Sequence, residues 1–215
     1  MANNPPPSWA YDVAAALKWA SRALYVQPVA GGDTCKSFLL LSSTGRAFVK
    51  TAESELVDLF HAEADGLEAL AGTGSIRVPR VLAVGQCEKP MLAWLALEAL
   101  DLQSRNETLD QALGQQLADL HSRRQKCFGW RRDNFLGKTP QANRPHDDWS
   151  TFFSTQRLRP QIDQILLATS DPQLEALLAE LIPLWQKLAT GYTPAPALLH
   201  GDLWAGNAAA LTDGS

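Results

Sequence analysis

Apolar positions recur along this chain with two periods, and the changes of period mark its elements. Val13, Leu17, Ala20 and Leu24 fall at helical spacing, which predicts a helix over Trp9–Leu24. Val26–Leu41 reads as extended chain interrupted by Gly31-Gly32-Asp33, with Ser43-Thr44-Gly45 as a turn and Arg46–Lys50 as the returning strand. From Ser54 to Leu70 the period is helical again. Leu56, Leu59, Phe60, Leu67 and Leu70 form one apolar stripe, and Gly72–Gly74 ends it. A strand over Arg80–Gly85, a turn over Gln86–Pro90 and a long apolar strand over Met91–Leu100 follow.

Beyond Asp101 the pattern is helical. Thr108-Leu109-Asp110-Gln111 has the form of a capping box, and Leu109, Leu113, Leu117 and Leu120 give the next helix a narrow seam. Arg123–Asp148 has no period and carries Gly129, Gly137, Pro140 and Pro145; long ordered loops tend to be functional. Trp149–Leu167 is predicted helical, with Phe152, Phe153, Ile162 and Ile165 inward and a bend at Pro160. Asp171-Pro172 starts another helix, whose apolar face is Leu174, Leu177, Leu178, Leu181 and Trp185 and whose kink is expected at Pro183. Ala197-Leu198-Leu199 reads as a short buried strand. The fold class is therefore α+β. An antiparallel sheet with a pairing helix occupies residues 1–100, and a mainly helical lobe occupies 101–215.

Bulk properties exclude several classes. A chain of 215 residues can bury a core as one domain or two small lobes. Its net charge of −4 gives no footprint for nucleic acid or an anionic membrane. No apolar run reaches the length of a membrane span, and Met1–Ser8 lacks the basic start and apolar core of a signal peptide. The three cysteines, Cys35, Cys87 and Cys127, are far apart without metal spacing, so reduced thiols and a cytoplasmic location are expected.

The most informative stretch is His200-Gly201-Asp202-Leu203-Trp204-Ala205-Gly206-Asn207. It reads H-x-D-L-x-x-x-N, the spacing of a kinase catalytic loop. Phosphoryl transfer needs a carboxylate to accept the nucleophile's proton and an amide oxygen to hold Mg²⁺ against phosphate. Asp202 fits the first role and Asn207 the second, with Gly206 expected to permit a tight turn between them. The same residues also suit a plain Asp- and Gly-rich turn. Lys50 ends Ala47-Phe48-Val49-Lys50, similar to the V-A-I-K strand of kinases. Glu63 lies within the apolar stripe of the following helix and needs a partner there. A Lys50–Glu63 pair would hold the ammonium against the α- and β-phosphates of ATP. Gly31 and Gly32 are candidates for backbone contact with phosphate, although Gly-Gly is commoner as a simple turn. Glu98-Ala99-Leu100 falls where a kinase's lobes join, and there backbone groups of Glu98 and Leu100 would read adenine.

These residues together resemble one family, the fructosamine kinases or ketosamine-3-kinases, relatives of the aminoglycoside phosphotransferases with a protein-kinase-like fold. The resemblance runs from about Val29 to Ser215. Besides the stretches above it includes Phe60–Leu67, Leu117–His121, Phe128-Gly129-Trp130, Asp133–Gly137, Pro140–Asn143, Asp148-Trp149 and Arg157-Leu158. It implies an ATP- and Mg²⁺-dependent kinase that phosphorylates the 3-hydroxyl of ketosamines, free or protein-bound. The product decomposes and frees the amine, which amounts to deglycation. For such a sugar, Trp130, Asn134, Gln141, Asn143 and Trp204 are candidate substrate contacts, and Trp149 is expected to favour core packing beside Phe152 and Phe153.

The sequence departs from the family at its end. A second metal-binding aspartate is expected on the strand after the catalytic loop, but Ala208–Leu211 leads only into Thr212-Asp213-Gly214 and Ser215. The chain is therefore expected to be a truncated, inactive or nearly inactive piece of a longer kinase. Alternatives are another small-molecule kinase of the aminoglycoside or choline type, and a non-catalytic pseudokinase-like binding fragment. Cys35 lies near the glycine loop, where redox control is conceivable from position alone.

Overall fold

The computed structural model describes residues 5–29, 35–104 and 106–212. Gly31 and Gly32, and the turn expected at Asp213-Gly214, lie outside the described residues. Contacts divide the chain into two compact units, Met1–Leu120 with Leu199–Ser215, and His121–Leu198. The helix after Asp101, α3 (Glu107–Ser122), thus falls mostly with the first unit, where its Leu120 is fully buried and its Asp119 accepts a bond from Ser75 Oγ at 2.5 Å.

In the first unit, β1 (Tyr25–Val29), β2 (Lys36–Leu41), β3 (Arg46–Glu53), β4 (Val81–Cys87) and β5 (Leu92–Glu98) form one antiparallel sheet in the order β1-β2-β3-β5-β4. Successive side chains of a strand point to opposite faces. Ala47, Val49, Trp94 and Ala96 accordingly pack with Trp9, Val13 and Ala14 of α1 (Ser8–Ala16). Phe48, Ala52, Ala93, Leu95 and Leu97 pack with Phe60, Ala64 and Leu67 of α2 (Val57–Thr73). Covered on both faces, β5 is buried at every position from Ala93 to Leu97, hence its unbroken apolar sequence. Pro28, which cannot donate to a ladder, sits on the edge strand β1.

Helix α1 ends well before Leu24. The amide of Lys18 donates to Ala15 and that of Trp19 to Ala14, with Lys18 at φ 57°. This is a Schellman termination with lysine in the place glycine usually takes. It turns Trp19 onto the β2–β3 turn, where a Cβ on Gly45 would lie 3.0 Å from the indole. The cap of α3 is Asn106, whose Oδ1 accepts from Leu109 N at 3.0 Å, so the helix starts two residues ahead of the expected Thr108 box. Asn is the stronger N-cap of the two.

In the second unit a short hairpin, β7 (Asn134–Leu136) and β8 (Thr139–Gln141), lies inside the loop that had shown no period. The helix predicted over Trp149–Leu167 is two helices, α4 (Trp149–Phe153) and α5 (Arg159–Ala168), joined by a π-helical turn over Ser154–Leu158. Pro160 has no N–H and would clash with an α-helical carbonyl four residues back, and the wider turn ahead of it relieves that conflict. Ile165, expected inward, is exposed. α6 (Pro172–Leu188) is capped by Asp171, which accepts from Gln173 and Leu174, and runs through Pro183. Its expected inward face is only partly covered: Leu177 and Leu181 are exposed, while Trp185 packs on Phe153 with centroids 4.4 Å apart. Ala197–Leu199 does not form a strand. Ala197 makes one bridge to Arg124 and Leu199 is exposed, because Pro194 and Pro196 remove alternate donors. No described helix is long and apolar enough to cross a membrane.

Two glycines give opposite predictions. A Cβ on Gly85 would lie 2.3 Å from the buried Trp94 ring, so Gly85→Val should destabilise by about 1–3 kcal/mol. Nothing lies within 4 Å of a Cβ at Gly66 in α2, so Gly66→Ala should be neutral or stabilising by up to about 1 kcal/mol. Thermal denaturation of both variants measures the contrast.

Candidate active site

Strand parity brings the first pair together. Lys50 shares the α2-facing side of β3 with Phe48 and Ala52, and Glu63 lies one helical turn from Phe60. Lys50 Nζ donates to Glu63 Oε1 at 2.6 Å, with the two side chains 30% and 27% exposed. The pair is therefore partly desolvated while its ammonium stays open to an anionic ligand.

At the end of β5 the expected backbone contacts divide. The amide of Glu98 is already used, donating to Arg80 O at 2.9 Å. Its carboxylate accepts from Arg77 Nη2 at 2.7 Å and from Arg80 N and Nε at 3.2 and 3.3 Å. The hydrogen bond from Arg77 chiefly holds the Glu98 carboxyl below the usual glutamate range, against a smaller upward push from burial. Leu100 makes no backbone–backbone bond among the described residues, so its amide is not committed as that of Glu98 is. Asp101 just beyond pairs through both carboxylate oxygens with Arg46, and its carbonyl accepts from Thr212 N at 3.0 Å. Strands β6 (Leu102–Gln103) and β9 (Ala210–Leu211) pair next to it. This segment is thereby tied to the chain that leaves the His200–Asn207 loop.

Within that loop Asn207 Nδ2 donates to the Asp202 carbonyl at 2.8 Å and to its carboxylate at 2.7 Å. The amide fixes the exposed carboxylate and leaves Asn207 Oδ1 as a hard oxygen donor. The glycine in positive φ is Gly201, at 85°, immediately before Asp202. Gly206, expected to be the tight-turn residue, lies in a 3₁₀ turn over Ala205–Asn207 and is not among the positive-φ residues. His200 contributes something the motif alone did not indicate: its Nδ1 accepts from Asp202 N at 3.3 Å. Burial lowers the His200 pKa and so favours the neutral ring that this bond requires, and the Asp202 charge opposes it more weakly.

In the second unit the candidate amides bond to one another. Asn143 is buried; its Nδ2 donates to Arg132 O at 3.1 Å and Asn134 Oδ1 at 2.8 Å, and its Oδ1 accepts from Arg157 Nη2 at 2.5 Å. Its backbone N–H donates to Asp133 at 2.9 Å. Gln141 Nε2 donates to the same Asn134 Oδ1 at 2.9 Å. Asn143 is thus a fully engaged brace, while Asn134 Nδ2 and Gln141 Oε1 have no partner in the described structure. Arg157 was quoted only as part of a motif. Its bracing role had no signal in the residue pattern, because Arg157 lies in the polar stretch Ser154-Thr155-Gln156-Arg157-Leu158-Arg159, which holds a second cation. Trp130 is half-buried, and its backbone N–H donates to Asn143 O at 3.0 Å. Gly129 makes this approach possible, since a Cβ there would lie 2.7 Å from that carbonyl. Trp149 packs on Phe128, Phe153 and Trp185, as core packing requires. Among the described residues no three His, Cys, Asp or Glu side chains form a metal cluster.

Asn143→Ala should cost about 2–3 kcal/mol, because it leaves Arg157 Nη2, Asn134 Oδ1 and the part-buried Arg132 carbonyl each one partner short. Chemical denaturation checks this, and the cost should be the same with or without ligand. The depressed pKa of Glu98 means that its contribution to stability is complete above the ordinary glutamate range and is lost as pH falls through its lowered value. Glu98→Gln should therefore melt lower than the parent at pH 7, with the gap closing in acid.

The family model described as fructosamine kinase matches residues 10–215. A "probable ketoamine kinase" of Synechocystis is 37% identical over 190 residues, covering 86% of this chain and 62% of the relative. One from Escherichia coli K12 is 38% identical over 185 residues, covering 86% and 63%. A rice protein named protein-ribulosamine 3-kinase, chloroplastic, is 34% identical over 198 residues, covering 91% and 57%. The chain thus spans about three-fifths of the length of these relatives. In fold it is similar to a "putative fructosamine-3-kinase" from Haemophilus somnus, with a TM-score of 0.82 over 96% of this chain and 69% of that one, at 24% identity. A second such structure, from Thermobifida fusca, aligns with a TM-score of 0.68 over 95% and 73%, also at 24% identity. With its kinase-like fold, the Lys50–Glu63 pair and the Asp202–Asn207 loop, the chain belongs to the fructosamine kinase family.

Proposed function

We propose that the protein is an ATP-dependent kinase that transfers the γ-phosphoryl group to the 3-hydroxyl of a ketosamine, of the fructosamine or ribulosamine type. The observation that carries this reading is that both kinase pairs, Lys50–Glu63 and Asp202–Asn207, are formed within one compact unit. Residues 1–100 act as the nucleotide-binding lobe, and the chain from 101 onward supplies the catalytic loop. Lys50, oriented by Glu63, neutralises the α- and β-phosphates; Gly31 and Gly32 offer backbone amides; the Leu100 backbone meets adenine. Glu98 supports that segment through Arg77 and Arg80 rather than through its own amide. Asp202 accepts the proton of the sugar hydroxyl as its oxygen bonds to phosphorus and ADP departs.

Asn207 Oδ1 and the neighbouring carboxylate are the oxygen donors that Mg²⁺ favours, so the loop fits that ion, with Asn207 as its ligand. Bound Mg²⁺ would neutralise charge on the phosphates. Trp204 contacts the sugar beside Asp202; in the other unit Trp130, Asn134 and Gln141 present an indole and amides of the kind that suit a sugar, and Asn143 holds Asn134 in place. The 3-phosphorylated product decomposes and releases the amine, which makes the reaction a deglycation. A reaction of this kind on intracellular glycated amines suits a cytoplasmic location.

In the full-length protein, Asp202→Asn should lower kcat with ribulosyl-lysine by about 10²–10⁴-fold. Its ATP affinity, measured by calorimetry, should change by no more than about threefold. Undiminished turnover would remove Asp202 as the base.

A further inference from the structure

Trp204 is 62% exposed, yet its ring is not free. A Cβ built on Gly206 would lie 2.4 Å from Cη2 of that indole and 2.5 Å from Cζ2. Ordinary contacts between carbons are about 3.5–4.0 Å, so the ring occupies the space of the missing side chain. The backbone of this turn is otherwise well held. Asn207 N donates to Trp204 O at 2.9 Å, and the Asn207 side chain clamps Asp202. Gly206 does not use its conformational freedom here, because positive φ in this loop belongs to Gly201. What Gly206 supplies is the absence of a Cβ.

We propose that Gly206 is a positioning residue that seats the Trp204 indole against the catalytic turn as a preset wall for the C–H face of the sugar. The inference rests on Trp204 being that wall and goes further by naming what fixes it. A methyl at position 206 must displace the ring, since the ring is the exposed partner and the turn is hydrogen-bonded. The change therefore falls on Trp204 and leaves the Asp202–Asn207 clamp in place. An indole already seated loses little freedom when the sugar arrives, whereas a displaced one must be reordered.

The test uses 5-fluorotryptophan labelling and ¹⁹F NMR of the 215-residue chain, which holds seven tryptophans, with the resonance lost in Trp204→Phe assigned to Trp204. Gly206→Ala should shift or broaden the Trp204 resonance and leave the others in place. In the full-length enzyme, Gly206→Ala should raise KM for ribulosyl-lysine about tenfold while KM for ATP changes by less than about twofold. In a Trp204→Ala background the same substitution should change neither by more than about twofold. An unmoved Trp204 resonance, an equal rise in both KM values, or an undiminished effect without Trp204 would overturn the proposal. A wild-type enzyme that phosphorylates no ketosamine would end the sugar-wall reading, and the ¹⁹F spectrum would still decide whether Gly206 seats the indole.

Discussion

The ion pair between Lys50 and Glu63 holds only if one register holds. Lys50 faces α2 because it shares the parity of Phe48 and Ala52 on β3. A slip of one residue would send it to the α1 face and bring Val49 to Glu63. The register is fixed at several points. Ser42 Oγ accepts the amides of Thr44 and Gly45 in the β2–β3 turn, Trp19 covers Gly45, and Trp94 on β5 lies over Gly85 on β4. The last two of these contacts depend on a glycine that leaves room for an aromatic ring. The placement of the ammonium is thus a consequence of packing on the opposite face of the sheet.

A second constraint joins the end of β5 to the loop that carries Asp202. Arg46 at the start of β3 grips Asp101, Asp101 accepts from Thr212, and Gln103 Nε2 donates to Leu211 O at 2.6 Å. Residues more than a hundred positions apart in sequence thereby share one short ladder. The exposed Arg46–Asp101 pair adds little stability by itself. Its effect is to set direction, because it orients the carbonyl that receives Thr212.

Most of the first unit could be read from its periods. Apolar runs bounded by turn residues located the strands, the stripe from Leu56 to Leu70 located α2, and the one acid inside that stripe pointed to its partner on β3. Hydrogen bonds that replace a periodic signal were harder to read. The end of α1 is set by two amides and a lysine in positive φ, while Leu17, Ala20 and Leu24 keep helical spacing beyond it. The loop of the second unit is held by Asn143, Asp133 and Arg157, and such bonds leave no trace in hydrophobicity. The stripe on α6 showed that a face is apolar but could not show what lies against it. At the catalytic loop the residue types were legible, but the turn role expected of Gly206 falls to Gly201, for which the residue pattern suggested no role. Telling them apart needs the path of the backbone and the position of one indole.

The central claim is the chemistry of transfer to a ketosamine. It is tested most directly by incubating the full-length protein with Mg·ATP and ribulosyl-lysine and locating the phosphate by ³¹P–¹H correlation NMR. The account predicts phosphate on the oxygen at C3 of the sugar, followed by release of lysine. Phosphorylation of an aminoglycoside with none of the ketosamine, or phosphate at another hydroxyl, would contradict it.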